Sequence, residues 1–217
     1  MEQLKQAIMN LLQQYYTYRE TPNFFRQEAK IVECLNDSVK DVHAQIPLSP
    51  ELIYFYSHFK MNGPIRQDGH QLHRISIDIG SGNLYLSEPA NLYRRQLGFR
   101  WVGSSAPYEE NPMWNASWVV IADKDDDPII VDTSQRNSPV LASYDASEVF
   151  SIADSLAQFF AAITVVLKVF HERFAGEIMD EETCEIEGEF LSVLTEELMN
   201  VLNNQEHVQH LIDYLYG

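Results

Sequence analysis

Carboxylates along one acidic run are the first groups in this sequence whose spacing suggests chemistry. Asp123, Asp125 and Asp127 match the first three ligand positions of a calcium-binding EF-hand loop. Such a loop has glycine at its sixth position and glutamate at its twelfth, where this chain has Pro128 and Ser134. The run therefore predicts a solvated hairpin turn rather than a calcium site, and contact with a partner is the second interpretation of these carboxylates.

The histidines form no pattern typical of a metal site or a catalytic centre. His70 and His73 have a spacing that could suit zinc, and His207 and His210 repeat it. A structural zinc site needs four ligands, usually including cysteine, and neither pair has a further cysteine or histidine close in sequence. The sequence contains no GxSxG nucleophile motif and no glycine-rich phosphate loop. We therefore predict no metal, no cofactor and no enzyme activity.

One expected loop has the composition of a protein-binding patch. The segment from Tyr108 to Trp114 places aromatic side chains and Met113 beside carboxylates. Aromatic anchors next to charge are typical of binding surfaces on loops. The alternative for Trp114 is that it folds back and covers the core. Together with the acidic run, the candidate partner contacts are Tyr108, Glu109, Glu110, Trp114, Asp125, Asp126 and Asp127.

The charge of the chain restricts its partners. The net charge is −17, from 15 Lys and Arg against 32 Asp and Glu. Nucleic acids and anionic lipids are disfavoured, because both require clustered basic residues. A basic protein partner is compatible with this field, and solubility alone is the alternative explanation. Residues 166–217 contain twelve acidic residues against Lys168 and Arg173, and such asymmetry is typical of an interaction surface.

The compartment follows from the cysteines and the apolar runs. Cys34 and Cys184 lie in different segments, which does not predict a secreted disulfide framework. The first residues lack the basic start and continuous apolar run of a signal peptide. No stretch reaches the roughly 18 apolar residues needed to cross a membrane. We therefore predict a cytoplasmic protein that does not enter a membrane.

The N-terminal part of the chain is expected to be helical. Apolar residues recur at helical spacing over residues 3–18. Thr21 and Pro22 then favour a new helix start, and a second helix is predicted over Phe24–Val39. Ser49, followed by Pro50, is a strong N-cap candidate for a third helix over Glu51–Met61.

The middle of the chain has the period of β-strands. A short helix is expected within residues 88–98, a long polar loop over residues 103–115, and a hairpin whose turn lies in the acidic run. Alternating or continuous β-branched residues predict strands at Ile75–Ile79, Leu84–Leu86, Phe99–Val102, Ser117–Ala122, Pro128–Asp132 and Pro139–Ser143.

The C-terminal part returns to helical spacing. Ser151 and Asp154 fit a capping box, which predicts a long, mostly buried helix over about Ile152–Phe174. Two further helices separated by Asn203-Asn204 each have a narrow apolar stripe and an acidic back. These two helices either cover the chain's own core or meet a second copy and form a homodimer.

Three segments, in this order, resemble the SUKH superfamily, which includes the Smi/Knr cell-wall regulators and many bacterial proteins. Ile46–Gly63 is similar to the family's leucine-proline, helix, asparagine-glycine opening, and Trp118–Asp132 to its tryptophan-led hairpin. Pro139–Phe160 resembles the closing strand and helix. The resemblance covers about residues 44–165. The family usually has glycine in the hairpin turn, where this chain has Asp125 to Pro128.

The resemblance and the periodicity imply the same fold class. We expect an α+β protein with a mostly antiparallel sheet of five to six strands, flanked by N-terminal and C-terminal helices in a Smi/Knr-like fold. Residues 1–217 are expected to form a single domain, with N-terminal helices over 1–43, the SUKH-like core over 44–165 and an acidic helical extension over 166–217.

The function implied by the resemblance is binding without catalysis. The family has no shared catalytic residues, and its bacterial members are associated with immunity against polymorphic toxins, many of them nucleases. An acidic member would suit a basic toxin domain, so the leading hypothesis is a toxin-immunity-type inhibitor. A regulatory or scaffolding module without a toxin partner is the alternative.

Overall fold

The computed structural model describes residues 1–19, 25–144, 148–180 and 183–217. Short 3₁₀ helices lie at Ser38–Asp41 and Pro89–Asn91. The α-helices are α1 (Glu2–Tyr18), α2 (Pro50–His58), α3 (Leu92–Arg95), α4 (Leu156–Lys168), α5 (Gly188–Leu202) and α6 (Gln205–Tyr216). The strands are β1 (Phe25–Gln27), β2 (Lys30–Glu33), β3 (Phe59–Asn62), β4 (Ile65–Arg66), β5 (Arg74–Asp78), β6 (Asn83–Ser87), β7 (Trp101–Val102), β8 (Glu109–Glu110), β9 (Trp118–Lys124), β10 (Asp127–Asp132), β11 (Val140–Ser143) and β12 (Val149–Ala153).

A six-stranded antiparallel sheet forms the centre of the fold. Its spatial order is β12-β11-β10-β9-β6-β5, so that β5 and β12 are the edge strands. The short ladders β1-β4, β2-β3 and β7-β8 lie outside this sheet. The predicted α+β class, with a mostly antiparallel sheet and helices in the N-terminal and C-terminal parts of the chain, is confirmed.

The main core lies between the sheet and the helices. Alternating residues of β5 and β6, such as Ile75, Ile77 and Leu84, are fully or almost fully buried in it. The apolar face of α1 and nearly all of α4 join the same core, and α1 packs along α4. Because α4 contacts α1 and α5 as well as β12, its sequence is apolar on almost every side.

A second, smaller core covers the opposite face of the sheet. Trp114, Val120 and Ile130 are buried there, with Trp118 packed against them. Strand β9 has a bulge: Ile130 pairs with Val120 but Ile129 pairs with Ala122, which leaves Ile121 without a partner residue on β10.

Gln96 bonds β9 on the side opposite β10, where the pairing of β9 with β6 ends at Ala122. Its side chain is fully buried, and it both donates to the carbonyl and accepts from the N–H of Val120 at 2.9 Å. The amide side chain therefore takes the place of a strand partner beside the bulge.

The predicted second helix is wrong over the residues that the structure describes. Residues 25–33 form β1 and β2, and only Ser38–Asp41 is helical, as a 3₁₀ turn. In β2, Ile31 alone is buried and its neighbours are exposed, which is a strand period. Pairing of β2 with β3 also ends α2 at His58, short of the predicted Met61. Thr21, Pro22 and Phe24 lie outside the described residues.

The predicted capping box is also wrong by four residues. Ser151 lies within β12, opposite Leu141 of β11, so the ladder takes these residues before the helix begins. The cap of α4 is Ser155, whose hydroxyl accepts from the N–H of Gln158 at 3.1 Å. In contrast, the predicted cap Ser49 is observed on α2, where it accepts from the N–H of Leu52.

Other boundaries differ by short stretches. The predicted strand Phe99–Val102 is reduced to β7, and the long polar loop after it contains β8. After Lys168 the long helix continues as a π-helix over Val169–Arg173, whose wider turn carries the chain to Gly176 at φ 84°.

The C-terminal helices cover the chain's own core. Phe190, Leu194 and Leu198 of α5 are fully buried, and α6 packs on α5 and β12. The break predicted at residues 203–204 is present: Asn203 is left-handed, and the side chain of Asn204 caps α6. The apolar stripes of α5 and α6 are thus buried within one chain and are not exposed to a second copy. A homodimer through these helices stays a prediction.

Candidate partner-binding surface

The acidic run forms a two-residue hairpin turn. Asp125 and Asp126 connect β9 to β10, with φ angles of 52° and 70°. Lys124 and Asp127 pair across the turn. Positive φ at both central residues is typical of a type I′ turn, which fits the twist of a hairpin and accepts Asn, Asp and Gly. The two aspartates therefore form the turn without the glycine usual in the SUKH proteins.

Both central carboxylates of the turn point into solvent. The side chain of Asp125 is 69% exposed and that of Asp126 is 90% exposed. Lys124 lies 3.0 Å from the first, and Arg95 approaches the second at 3.9 Å. Exposed pairs of this kind contribute only about 0–1 kcal/mol, so a partner with a stronger cationic group can replace them.

Helix α6 holds this turn in place. The Tyr214 hydroxyl donates to the carbonyl of Asp127 at 2.7 Å and accepts from the N–H of Lys124 at 3.2 Å. Tyr214 is only 2% exposed, and burial raises the pKa of its hydroxyl far above its usual range. The phenol is therefore a neutral donor at any physiological pH, and both residues flanking the turn are fixed by one side chain.

The turn between β5 and β6 is fixed by the same helix. The Tyr216 hydroxyl donates to the carbonyl of Ile79 at 2.9 Å, and Ser81 Oγ donates to the carbonyl of Leu215 at 2.7 Å. A Cβ atom placed on Gly82 would lie 3.9 Å from the carboxylate of Asp125. The two hairpin turns are thus neighbours, and the last turn of α6 contacts both of them.

Carboxylates from three elements converge beside this contact. The charges of Asp213 and Asp127 add to burial in raising the pKa of Tyr144, and Asp78 adds to burial in raising the pKa of Tyr216. Asp213 and Asp127 are therefore both close to Tyr144, and Asp78 is close to Tyr216. Tyr144 is 41% exposed and gives the surface an aromatic group. We name this surface the acidic end and define it by Asp78, Asp125, Asp126, Asp127 and Asp213.

A buried ion pair lies directly behind the turn. Asp123 is 1% exposed and contacts the guanidinium of Arg95, which also reaches Asp126. Burial raises the pKa of the Asp123 carboxyl, and Arg95 and Arg74 oppose this rise. Asp123 thus faces a cation inside the protein, whereas the EF-hand pattern would have aimed it at calcium. Its role in this geometry is to anchor Arg95 beneath the acidic end.

The predicted contact loop is only partly available to a partner. Trp114 is 8% exposed and packs in the second core, with its indole N–H 3.3 Å from the carbonyl of Trp118. Tyr108 is half-buried against the main core. Glu109 and Glu110 are exposed, and Glu110 lies 3.2 Å from Arg100. The exposed apolar group of this loop is Met113, at 87%.

The structure does not bring the two predicted sets of contacts together. Trp114 packs beside Trp118 at the start of β9, whereas Asp125 follows its last residue, Lys124. A strand rises ~3.3 Å per residue, so the seven residues of β9 separate the sets by about 20 Å. They belong to opposite ends of one hairpin.

The acidic C-terminal segment forms a further negative surface. Glu189 and Glu196 on α5 are exposed, and no salt bridge among the described residues involves them or Glu197. Glu181 and Glu182 lie outside the described residues. Unlike the acidic end, this surface has no tyrosine contact that fixes its carboxylates.

Sequence reasoning missed the residues that position the acidic end. Tyr214, Tyr216 and Ser81 make contacts that span 87, 137 and 134 positions along the chain. No local pattern announces such contacts. Within the described ranges, no group of three or more His, Cys, Asp or Glu side chains could hold a metal ion. None of the helices in that part of the chain is long and apolar enough to cross a membrane.

The fold and this surface define an acidic α+β protein that presents exposed carboxylates on two hairpin turns, whose backbones are held by α6. No protein-family model, curated protein or solved structure matches the chain.

Proposed function

We propose that this protein is a non-catalytic binder of a basic protein, and that the acidic end is its contact surface. The observation that carries the proposal is the fixing of two adjacent hairpin turns by one helix end, through Tyr214, Tyr216 and Ser81. Carboxylates on such a support lose little conformational freedom when a partner binds, so more of the interaction energy appears as affinity.

The charge of the chain supports a basic partner. A net charge of −17 attracts a cationic protein over long range and can raise the association rate from ~10⁵–10⁶ to ~10⁸ M⁻¹s⁻¹ at low salt. The exposed aspartates then provide short-range hydrogen bonds to Arg and Lys, and Tyr144 provides an aromatic face for a cation.

The resemblance to the SUKH superfamily gives the proposal its concrete form. The opening helix with its Ser49 cap and the tryptophan-led hairpin, on which the resemblance rests, are well-formed elements of the fold. We propose a toxin-immunity-type inhibitor in the cytoplasm, whose acidic end covers a basic surface of a toxin domain such as a nuclease. A regulatory or scaffolding module is the alternative, and the identity of the captured partner distinguishes the two.

The experiment begins with capture and ends with purified components. Tagged protein is incubated with source lysate at low and high salt, and a stoichiometric basic protein lost at high salt is identified by mass spectrometry. Its association rate and Kd are then measured against three double variants, each of which removes two negative charges. These are Asp125→Asn/Asp126→Gly at the acidic end, Glu109→Gln/Glu110→Gln in the loop and Glu196→Gln/Glu197→Gln on α5.

The variants separate position from total charge. Asn-Gly is the preferred type I′ sequence, so the first variant keeps the turn and removes only its carboxylates. We expect it to weaken binding by about tenfold or more, while the α5 variant changes Kd by less than about threefold. Equal losses in all three would reduce the effect to net charge, and a loss only in the loop variant would move the contact to the other end of the hairpin.

A further inference from the structure

A cavity of about 370 Å³ lies at the β5 edge of the sheet, and its lining extends to Asp78 and Asn83 on either side of the β5–β6 turn. It is bounded by the last two turns of α1, by β5 and β6, and by the π-helix that follows α4. Sites for small ligands usually have volumes of ~300–1,000 Å³ and combine apolar walls with a few placed polar groups. This cavity has the required size, and its walls include Tyr18 and Tyr85.

The first polar group in the wall is the side-chain amide of Gln14, whose oxygen lacks a hydrogen-bond donor within the described ranges. Gln14 is 8% exposed, and its Oε1 atom has no hydrogen-bond partner among the residues that the structure describes. The residue lies on the buried face of α1 beside Leu11 and Tyr15, where an apolar residue would be the expected choice. A buried polar group without a partner lowers stability, and it lines the cavity here.

The second polar group is the guanidinium of Arg74, which forms no salt bridge among the described residues. Arg74 is half-buried, and its Cζ atom lies 3.9 Å from the centre of the Tyr85 ring. The half-buried arginines 19, 95 and 100 each form a salt bridge, whereas none of the salt bridges among the described residues involves Arg74. Arg74 is close enough to Asp123 to oppose the rise in the pKa of that carboxyl, but it forms no salt bridge in the part of the chain that the structure describes, so its half-buried guanidinium can still bind an anion.

The third feature is an aromatic wall built on irregular backbone. His171 lies in the π-helix and stacks on Tyr18, with ring centres 4.4 Å apart and planes 11° from parallel. Single π-turns within α-helices occur frequently at functional sites, because the extra residue redirects side chains. The imidazole covers one face of the Tyr18 ring, and both side chains line the cavity.

We propose that this cavity binds a small planar molecule with one carboxylate and one further hydrogen-bonding group. The carboxylate binds the guanidinium of Arg74, the further group bonds the amide of Gln14, and the ring system packs on Tyr18 and Tyr85. The cavity shares Asp78 with the acidic end but is lined by neither Asp125 nor Asp126, so ligand binding and partner binding are tested by different variants.

The test uses three related probes. 6-Hydroxy-2-naphthoate is planar and carries both groups, 2-naphthoate lacks the hydroxyl, and 2-naphthol lacks the carboxylate. Binding to the full chain is followed by ¹H–¹⁵N NMR titration. We expect saturable one-to-one binding of 6-hydroxy-2-naphthoate, with shifts centred on the cavity. 2-Naphthol, which lacks the carboxylate, should bind about tenfold or more weakly than 6-hydroxy-2-naphthoate, since a charged hydrogen-bonded pair is removed.

Variants assign each group to its residue. Arg74→Gln weakens the binding of both naphthoates by about tenfold and leaves the affinity for 2-naphthol unchanged. The exposed control Arg94→Gln changes the affinity for none of the three probes. Gln14→Leu weakens 6-hydroxy-2-naphthoate but not 2-naphthoate. Absence of saturable binding by all three probes overturns the proposal, and so does binding that neither Arg74→Gln nor Gln14→Leu changes.

Thermal stability gives a readout that a structural role would not produce. Because its amide has no partner, Gln14→Leu raises the melting temperature of the ligand-free protein by about 2–8 °C. The exposed neighbour Gln13→Leu changes it by less than about 2 °C. A lower melting temperature for Gln14→Leu shows that the amide stabilises the fold and contradicts its assignment to a ligand.

Discussion

The hydroxyl of Tyr214 lies 2.7 Å from the carbonyl oxygen of Asp127, and this bond joins a C-terminal helix to a hairpin turn 87 positions earlier in the chain. The same hydroxyl accepts from the N–H of Lys124, on the other side of the turn. Backbone groups at a turn often bond only to water, but here they bond to a buried side chain. The shape of the acidic end therefore depends on a residue that has almost no surface of its own.

Removing this hydroxyl tests the dependence. Tyr214→Phe keeps the ring packed against Phe150 and Tyr144 but leaves two backbone groups without their partner. We expect the free energy of unfolding to fall by about 1–3 kcal/mol in urea denaturation. Tyr144→Phe is the matched control and should change it by less than about 0.5 kcal/mol, because Tyr144 is 41% exposed. Similar losses of unfolding free energy in the two variants would show that the Tyr214 hydroxyl does not stabilise the turn.

Stability should decrease in alkaline solution through the buried tyrosines. Burial raises the pKa of Tyr56, Tyr214 and Tyr216 above the ordinary value of 10.0. The unfolded chain releases these protons near pH 10 and the folded chain retains them, so their contribution is complete below pH 10 and is lost as the pH rises further. Each contributes a slope of up to about 1.4 kcal/mol per pH unit. Urea unfolding from pH 8 to pH 11 should show a smaller slope for Tyr216→Phe than for the natural sequence, and identical slopes would contradict the assignment.

Two serines separate the observed start of α4 from the one suggested by sequence. Ser155→Ala removes the hydroxyl that accepts from the N–H of Gln158 and should destabilise the protein by about 1 kcal/mol. Ser151→Ala changes a half-buried strand residue and should cost less than about 0.5 kcal/mol. Chemical denaturation of the pair decides between the two caps, and the reverse order would restore the capping box at Ser151.

The pair of Arg95 and Asp123 should behave as a buried charge and its counterion. Arg95→Leu leaves the carboxylate of Asp123 buried and is expected to cost about 3–5 kcal/mol. The double variant Arg95→Leu/Asp123→Leu removes both charges and should recover at least half of that loss, since apolar replacements of buried pairs are often neutral. A double variant no more stable than Arg95→Leu would show that packing, not charge, sets the cost.

The hairpin and the core helices were predictable because their signals are local. The continuous β-branched runs on either side of the acidic turn predicted β9 and β10, and the apolar residues of α1 predicted its buried face. Ser49 was predictable as a cap because serine is favoured at the N-cap position and proline at the first helical position. These elements are fixed by residues within one or two turns of each other.

The wrong secondary-structure predictions lie where pairing with a strand distant in sequence determines the local structure. Ser151-x-x-Asp154 and Ser155-x-x-Gln158 both resemble a cap followed by a polar residue, and only the pairing of β12 with β11 assigns the first to a strand. Residues 30–33 are likewise strand only because β3 lies opposite. One local signal was overlooked: Gln14 is a glutamine within an otherwise apolar helix face, which indicates a buried polar side chain.

The bonds from α6 to the two hairpin turns also govern when the acidic end takes its shape. Hydrogen bonds that span 87, 134 and 137 positions close large loops, and such contacts form late in folding because their loop entropy must be overcome first. During synthesis both turns leave the ribosome long before Tyr214 and Tyr216 do. A nascent chain thus carries the carboxylates of the acidic end without their geometry, and it acquires that geometry only when α6 docks.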